Sequence, residues 1–147
     1  MRRLIYLALS ICAFCSSALA GPKEDAFQVV DQWAKAFTAA DVDTIVGLYA
    51  QDAVFMGTGT KEIVTQPEGV KKYFEVTLLG RRKFVASLVD SSVVALNETT
   101  VVVTGLDKLI ATVDGKSQDF FGRVTFVLSK RESAWKIVQF HRSAMPM

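Results

Sequence analysis

Cysteine, histidine and proline are scarce in this chain, and each scarcity removes a class of chemistry. Both cysteines, Cys12 and Cys15, fall within the first twenty of 147 residues. Beyond them no thiol is available for a disulfide framework or a thiolate metal site. His141 is the single histidine, which excludes a metal site built on paired imidazoles and a two-histidine acid–base system. No metal and no cofactor is implied. An excess of one charge is also lacking: Arg2 and Arg3 are the only charges in the first twenty residues, and the lysines and arginines that follow equal the acids in number. A neutral chain lacks the basic surplus expected of a nucleic-acid binder. No linker rich in proline, glycine or serine divides the sequence and no repeat appears. With 50% hydrophobic and 22% charged residues, one globular domain is expected.

What is present begins with an export pattern. Arg2 and Arg3 precede an apolar run from Leu4 to Cys15, and Ala18-Leu19-Ala20 supplies a small-x-small ending. This reads as a secretory signal peptide over residues 1–20, cleaved after Ala20; a membrane span needs about 20 apolar residues. Ile11 and Phe14 stand before the cysteines where a lipid-attachment signal has small residues. The expected mature form is a single domain over residues 21–147, exported to the periplasm or secreted, with no membrane partner.

Phe27, Val30, Trp33, Ala34 and Phe37 recur at three- and four-residue steps and predict a helix from about Lys23 to Ala39. Asp41 is placed to cap a second, short helix whose apolar face holds Val42, Ile45, Leu48 and Tyr49. Ala53 to Met56 reads as a short strand, and Pro67 as the first residue of a third helix carrying Val70, Tyr73 and Phe74. From Lys83 onward the composition shifts to Val, Thr, Phe and Ile. Strands are expected over Phe84–Leu96, Thr99–Val113, Ser117–Ser129 and Ala134–Ser143, in an antiparallel meander. The expected fold class is α+β, with the helices packed on a curved antiparallel sheet.

Asp114-Gly115 is a strong two-residue hairpin signal and sets a register in which Lys108 opposes Phe121 and Leu106 opposes Arg123. Both faces of this hairpin are apolar. One carries Val102, Ile110, Phe121 and Val127; the other carries Val101, Val103, Leu109, Phe120, Val124 and Phe126. A sheet with one solvated face alternates apolar and polar residues, so the second face is expected to bury itself in a homodimer or higher oligomer.

Lys108 and Arg123 then lie on adjacent strands among apolar neighbours, where a charge is costly without a counter-ion or water. Arg142, on the alternation of Lys136, Val138 and Phe140, is expected to join them. Two outcomes are open for these cations: an anion-binding pocket, or internal ion pairs with Asp107 and Asp119, which are close in sequence. Trp33 and Tyr49 are the aromatic side chains expected to line the same pocket, with Phe55, Tyr73 and Phe74 shared between cavity and core. His141, near the end of the chain, reads as structural rather than chemical. Gly57 to Lys61 lacks the spacing of a phosphate loop. Gly80-Arg81-Arg82-Lys83 reads as a solvated basic turn.

The segment Trp135-Lys136-Ile137-Val138-Gln139-Phe140-His141-Arg142-Ser143-Ala144-Met145-Pro146 resembles the C-terminal strand of the association (hub) domain of calcium/calmodulin-dependent protein kinase II. The order of elements over residues 23–146 is similar to the nuclear-transport-factor-2-like superfamily, which includes SnoaL-like cyclases and ketosteroid-isomerase-like proteins. That resemblance implies a cystatin-like cone of curved sheet and helices around a pocket, with dimers formed through the outer sheet face. By motif, Arg142 and Arg123 match two arginines of the hub pocket, and Lys108 stands at a third. The hub domain has an acidic segment after the position of Phe55, where this chain has Met56-Gly57-Thr58-Gly59.

Two functions are consistent with these features. One is an exported oligomeric protein that binds a small anionic organic molecule through Lys108, Arg123 and Arg142, with no kinase activity. The other is a small enzyme of the isomerase, dehydratase or cyclase type that transfers a proton in the same pocket.

Overall fold

The computed structural model describes residues 21–146, so the expected signal peptide lies outside the described residues. Helix α1 (Pro22–Ala39) opens on a proline, where the missing N–H costs no helical hydrogen bond. Its apolar stripe, including Ala26, Val30, Trp33 and Phe37, is buried. The helix stops where Ala40 turns to φ 56° and donates its N–H to the Ala36 and Phe37 carbonyls. Asp41 then caps α2 (Val42–Gly47), accepting from the Thr44 N–H at 3.0 Å and from the Thr44 hydroxyl at 2.7 Å. Tyr49, read above as part of this helix, instead opens strand β1 (Tyr49–Met56). The Leu48 carbonyl accepts from Ile137 at 2.9 Å, so pairing with the last strand takes over one residue past the helix cap.

Helix α3 (Pro67–Leu78) buries Val70, Phe74 and Leu78. Four long strands follow: β2 (Lys83–Asn97), β3 (Thr100–Val113), β4 (Lys116–Arg131) and β5 (Ala134–Ala144). The sheet order is β1-β5-β4-β3-β2. Neighbours from β2 to β5 are antiparallel, while β1 runs parallel to β5 and departs from the all-antiparallel expectation. Bulges in the β2–β3 and β4–β5 ladders bend the strands so that the sheet curves over the helices without closing.

The hairpin at Asp114-Gly115 has φ of 50° and 77° at its two central residues, the left-handed pair that matches the twist of the flanking strands. Lys108 opposes Phe121 and Leu106 opposes Arg123, as the turn dictates. The β4–β5 connection is tighter than the polar stretch 129–133 suggests. β4 continues to Arg131, and the turn is made at Glu132 and Ser133, with Glu132 at φ 55°.

The inner face of the sheet buries Val101, Val103, Val124, Phe126, Leu128 and Phe140 against the helices. Trp33 sits at the centre, with ring centroids 5.1 Å from Phe37, 5.4 Å from Phe126 and 5.3 Å from Phe140. Its indole N–H donates to the Tyr49 hydroxyl at 3.1 Å, which satisfies a donor that burial would otherwise strand. The outer face keeps large apolar side chains in contact with solvent. Leu106 is 40% and Phe121 51% exposed, and Val54, Met56, Val85 and Val94 share that face.

Candidate functional site

The sheet register decides which cations can meet. In β5 the residues Ile137 and Phe140 both face the core, because Val138 is an extra residue between the pairs Leu128–Ile137 and Val127–Gln139. After this bulge Phe140 and Arg142 point inward and His141 points outward. Lys108 and Arg123 stand on the outer face of β3 and β4. The expected cluster of Lys108, Arg123 and Arg142 is therefore not formed: the sheet lies between Arg142 and the other two.

Each cation meets a different fate. Lys108 Nζ reaches Asp119 Oδ2 at 2.7 Å and lies 5.7 Å from the Phe121 ring centroid. Arg123 is exposed and forms no ion pair among the described residues. Arg142 is buried against Asp107, with Nε to Oδ2 at 2.6 Å and Nη2 to Oδ1 at 2.8 Å. Its side chain is 10% exposed and that of Asp107 6%. The ion-pair reading of the sequence thus holds for two of the three cations, with the two acids named for it.

A forked pair of this kind is stable chiefly as a pair. Loss of either member strands a buried charge, at a cost of about 3–5 kcal/mol. Gly122 makes the room: a Cβ there would lie 2.5 Å from both Arg142 Nη2 and Asp107 Oδ1. The Gly122-Arg123-Val124 segment, noticed for its arginine, contributes its glycine to this pair. Arg142 Nη1 also donates to the Thr58 hydroxyl at 2.9 Å, which ties the loop after β1 to the end of β5.

Arg142 forms part of the wall of a cavity of about 170 Å³ between α1, α3 and the inner sheet face. Trp33, Phe37, Phe74, Phe84, Phe120 and Phe140 supply its aromatic surface. Its polar groups come from Thr58, Tyr73, Thr77, Arg82 and Arg142. Burial pushes the Tyr73 phenol above its ordinary value, with the Gly59 backbone and the Arg142 charge opposing. Tyr49 is fully buried and outside this wall, its phenol pushed well above the ordinary value by burial and pulled back in part by the Trp33 indole. Of the aromatic candidates, Trp33, Tyr73 and Phe74 reach the cavity, and Tyr49 and Phe55 belong to the core.

Sequence reasoning missed Arg82. It follows α3 in a basic triplet that has no helix or strand phase to say which member turns inward. Arg81 turns away to Asp114 at 2.8 Å, whereas the Arg82 guanidinium lies 5.9 Å from the Phe84 centroid and lines the cavity. A larger groove of about 540 Å³ runs between α1 and β2. Its charged side chains, Asp31 and Lys35, neutralise each other at 2.6 Å along the helix, which leaves an apolar wall.

A family model described as a SnoaL-like domain matches residues 27–147. A solved protein from Xanthomonas campestris, described as a calcium/calmodulin-dependent protein kinase II association domain, is 31% identical. The match covers 84% of this chain and 87% of that one, with a TM-score of 0.75. A protein from Streptomyces avermitilis described as a dehydratase of the NTF2-like family is 14% identical, covering 86% of this chain and 97% of that one at a TM-score of 0.77. An NTF2-like protein with a cystatin-like fold from Novosphingobium aromaticivorans is 10% identical, covering 84% and 82% at a TM-score of 0.73. The last two are alike in fold alone. No curated protein matches the sequence.

Proposed function

The chain belongs to the SnoaL-like domain family, and from that premise we propose that it is an exported homo-oligomeric protein that holds a small anionic organic molecule in the cavity between α1, α3 and the sheet. The observation that carries this reading is the cavity itself, an aromatic-lined space open to solvent on one side, with guanidinium groups from Arg82 and Arg142 in its wall. Apolar walls with a few convergent polar groups are the usual form of a small-molecule site. Arg82 supplies the uncompensated charge, beside an Arg142 neutralised by Asp107, in place of the set of Lys108, Arg123 and Arg142 expected from the sequence. Export rests on the leader pattern of residues 1–20, and self-association on the exposed apolar outer face.

Proton transfer is the second reading, since the Streptomyces avermitilis relative in fold is described as a dehydratase. Among the described residues the cavity wall holds no carboxylate and no imidazole. Asp107 lies behind Arg142, with both oxygens committed to it. The titratable acid that the wall offers for this reading is the Tyr73 phenol, raised by burial.

Thr77 lines the cavity from α3 and is partly exposed. Thr77→Phe places a ring in the space, so small aromatic acids that bind the wild-type mature chain by calorimetry are expected to lose at least tenfold in affinity. Undiminished affinity in a folded Thr77→Phe variant would place the ligand elsewhere.

A further inference from the structure

We infer that Arg82 selects the ligand by charge, and that the cavity takes a single-ring aromatic carboxylate. This rests on the cavity being the ligand site and adds the identity of the reading residue and the class of molecule read. Size comes first. An apolar protein cavity of about 150 Å³ holds one benzene ring, and this one measures about 170 Å³. One ring with a small substituent fills it. A fused polycyclic skeleton would extend out through the open side of the cavity rather than lie within it.

The walls favour an aromatic body. Rings from Trp33, Phe84, Phe120 and Phe140 line the space, and offset or edge-to-face contacts between rings add to simple burial.

Charge then distinguishes the two arginines. Arg142 has Nε and Nη2 on Asp107 and Nη1 on Thr58. An anion beside it meets a neutral pair and feels repulsion from Asp107 as well as attraction. Arg82 has no carboxylate partner among the described residues, and its one charge-related contact is the Phe84 ring. Its planar fork is free to take a carboxylate through paired N–H donors. Arg82 is exposed and lies just before β2, so it can serve the ligand without entering the core. A carboxylate held there leaves the ring to the aromatic walls.

The test is calorimetric titration of the mature chain with benzoate and with benzamide, its neutral isostere, on the wild type, Arg82→Gln and Arg81→Gln. Wild type and Arg81→Gln are expected to prefer benzoate about tenfold, the equivalent of one charge-assisted contact. Arg82→Gln is expected to bind both alike, at the benzamide affinity. A benzoate preference that survives in Arg82→Gln would overturn the inference and assign the charge reading to Arg142. Equal binding of the two probes to the wild type would overturn it as well, leaving an apolar site intact. Binding of neither probe to the wild type would overturn the inference together with the ligand site on which it rests.

Discussion

Tyr49 and Tyr73 are the only tyrosines after residue 20, and both phenols are raised by burial. The sign of the linkage follows. A phenol whose folded value lies above its unfolded value stays protonated in the native state while the unfolded chain ionises, so unfolding releases protons. The stability these groups support is complete below the ordinary value of 10.0 and is lost as pH rises above it. Denaturant midpoints of the mature chain are expected to stay level up to that point and then fall, with phenolate absorbance appearing together with unfolding. Phenolate absorbance at the ordinary value in a chain that remains folded would contradict the burial of both rings. At this scale the sequence was partly legible. Trp33, Tyr73 and Phe74 of the cavity rings, and the acids that neutralise Lys108 and Arg142, could be named in advance. Tyr49 and Phe55, named with them, belong to the core, and Phe37, Phe84, Phe120 and Phe140 line the cavity without having been expected there. Arg82 could not be named, because a side chain in a turn has no periodicity to fix its direction.

Periodicity serves best within elements. The stripe of α1, the cap at Asp41 and the left-handed turn at Asp114-Gly115 were all legible because short-range stereochemistry determines them. The parallel β1–β5 pair and the bulge at Val138 were not, since each depends on partners distant in sequence. That bulge has the larger consequence: it turns Arg142 to the inner face and leaves the outer face to Lys108 and Arg123. The outer face has its own prediction. Phe121 is its most exposed aromatic residue and lies beneath Lys108. The wild-type mature chain is expected to behave as a dimer or larger assembly by light scattering, and Phe121→Asp to reduce it to monomers with unchanged circular dichroism. A wild-type monomer at micromolar concentration would contradict burial of this face between copies.

In the whole molecule, the curved sheet gives its two faces different work. The inner face joins a packed aromatic core to a small cavity walled by two guanidinium groups, one neutralised and one free of carboxylate partners among the described residues. The outer face presents large apolar side chains together with two ion pairs among the described residues, Lys108–Asp119 and Arg131–Asp52. Sequence resemblance pointed to the fold and to a cationic pocket; the register puts Lys108 and Arg123 on the opposite face from Arg142, and Arg82 lines the cavity from the turn before β2. The central claim is that an organic anion is held on the inner face, between Arg82 and the aromatic walls. The most direct measurement is a heteronuclear NMR titration of the mature chain with benzoate. Shifts centred on the Trp33 indole, Thr58, Thr77 and Arg82 are the expected result; shifts centred on Lys108, Phe121 and Arg123, with the cavity signals unmoved, would contradict it.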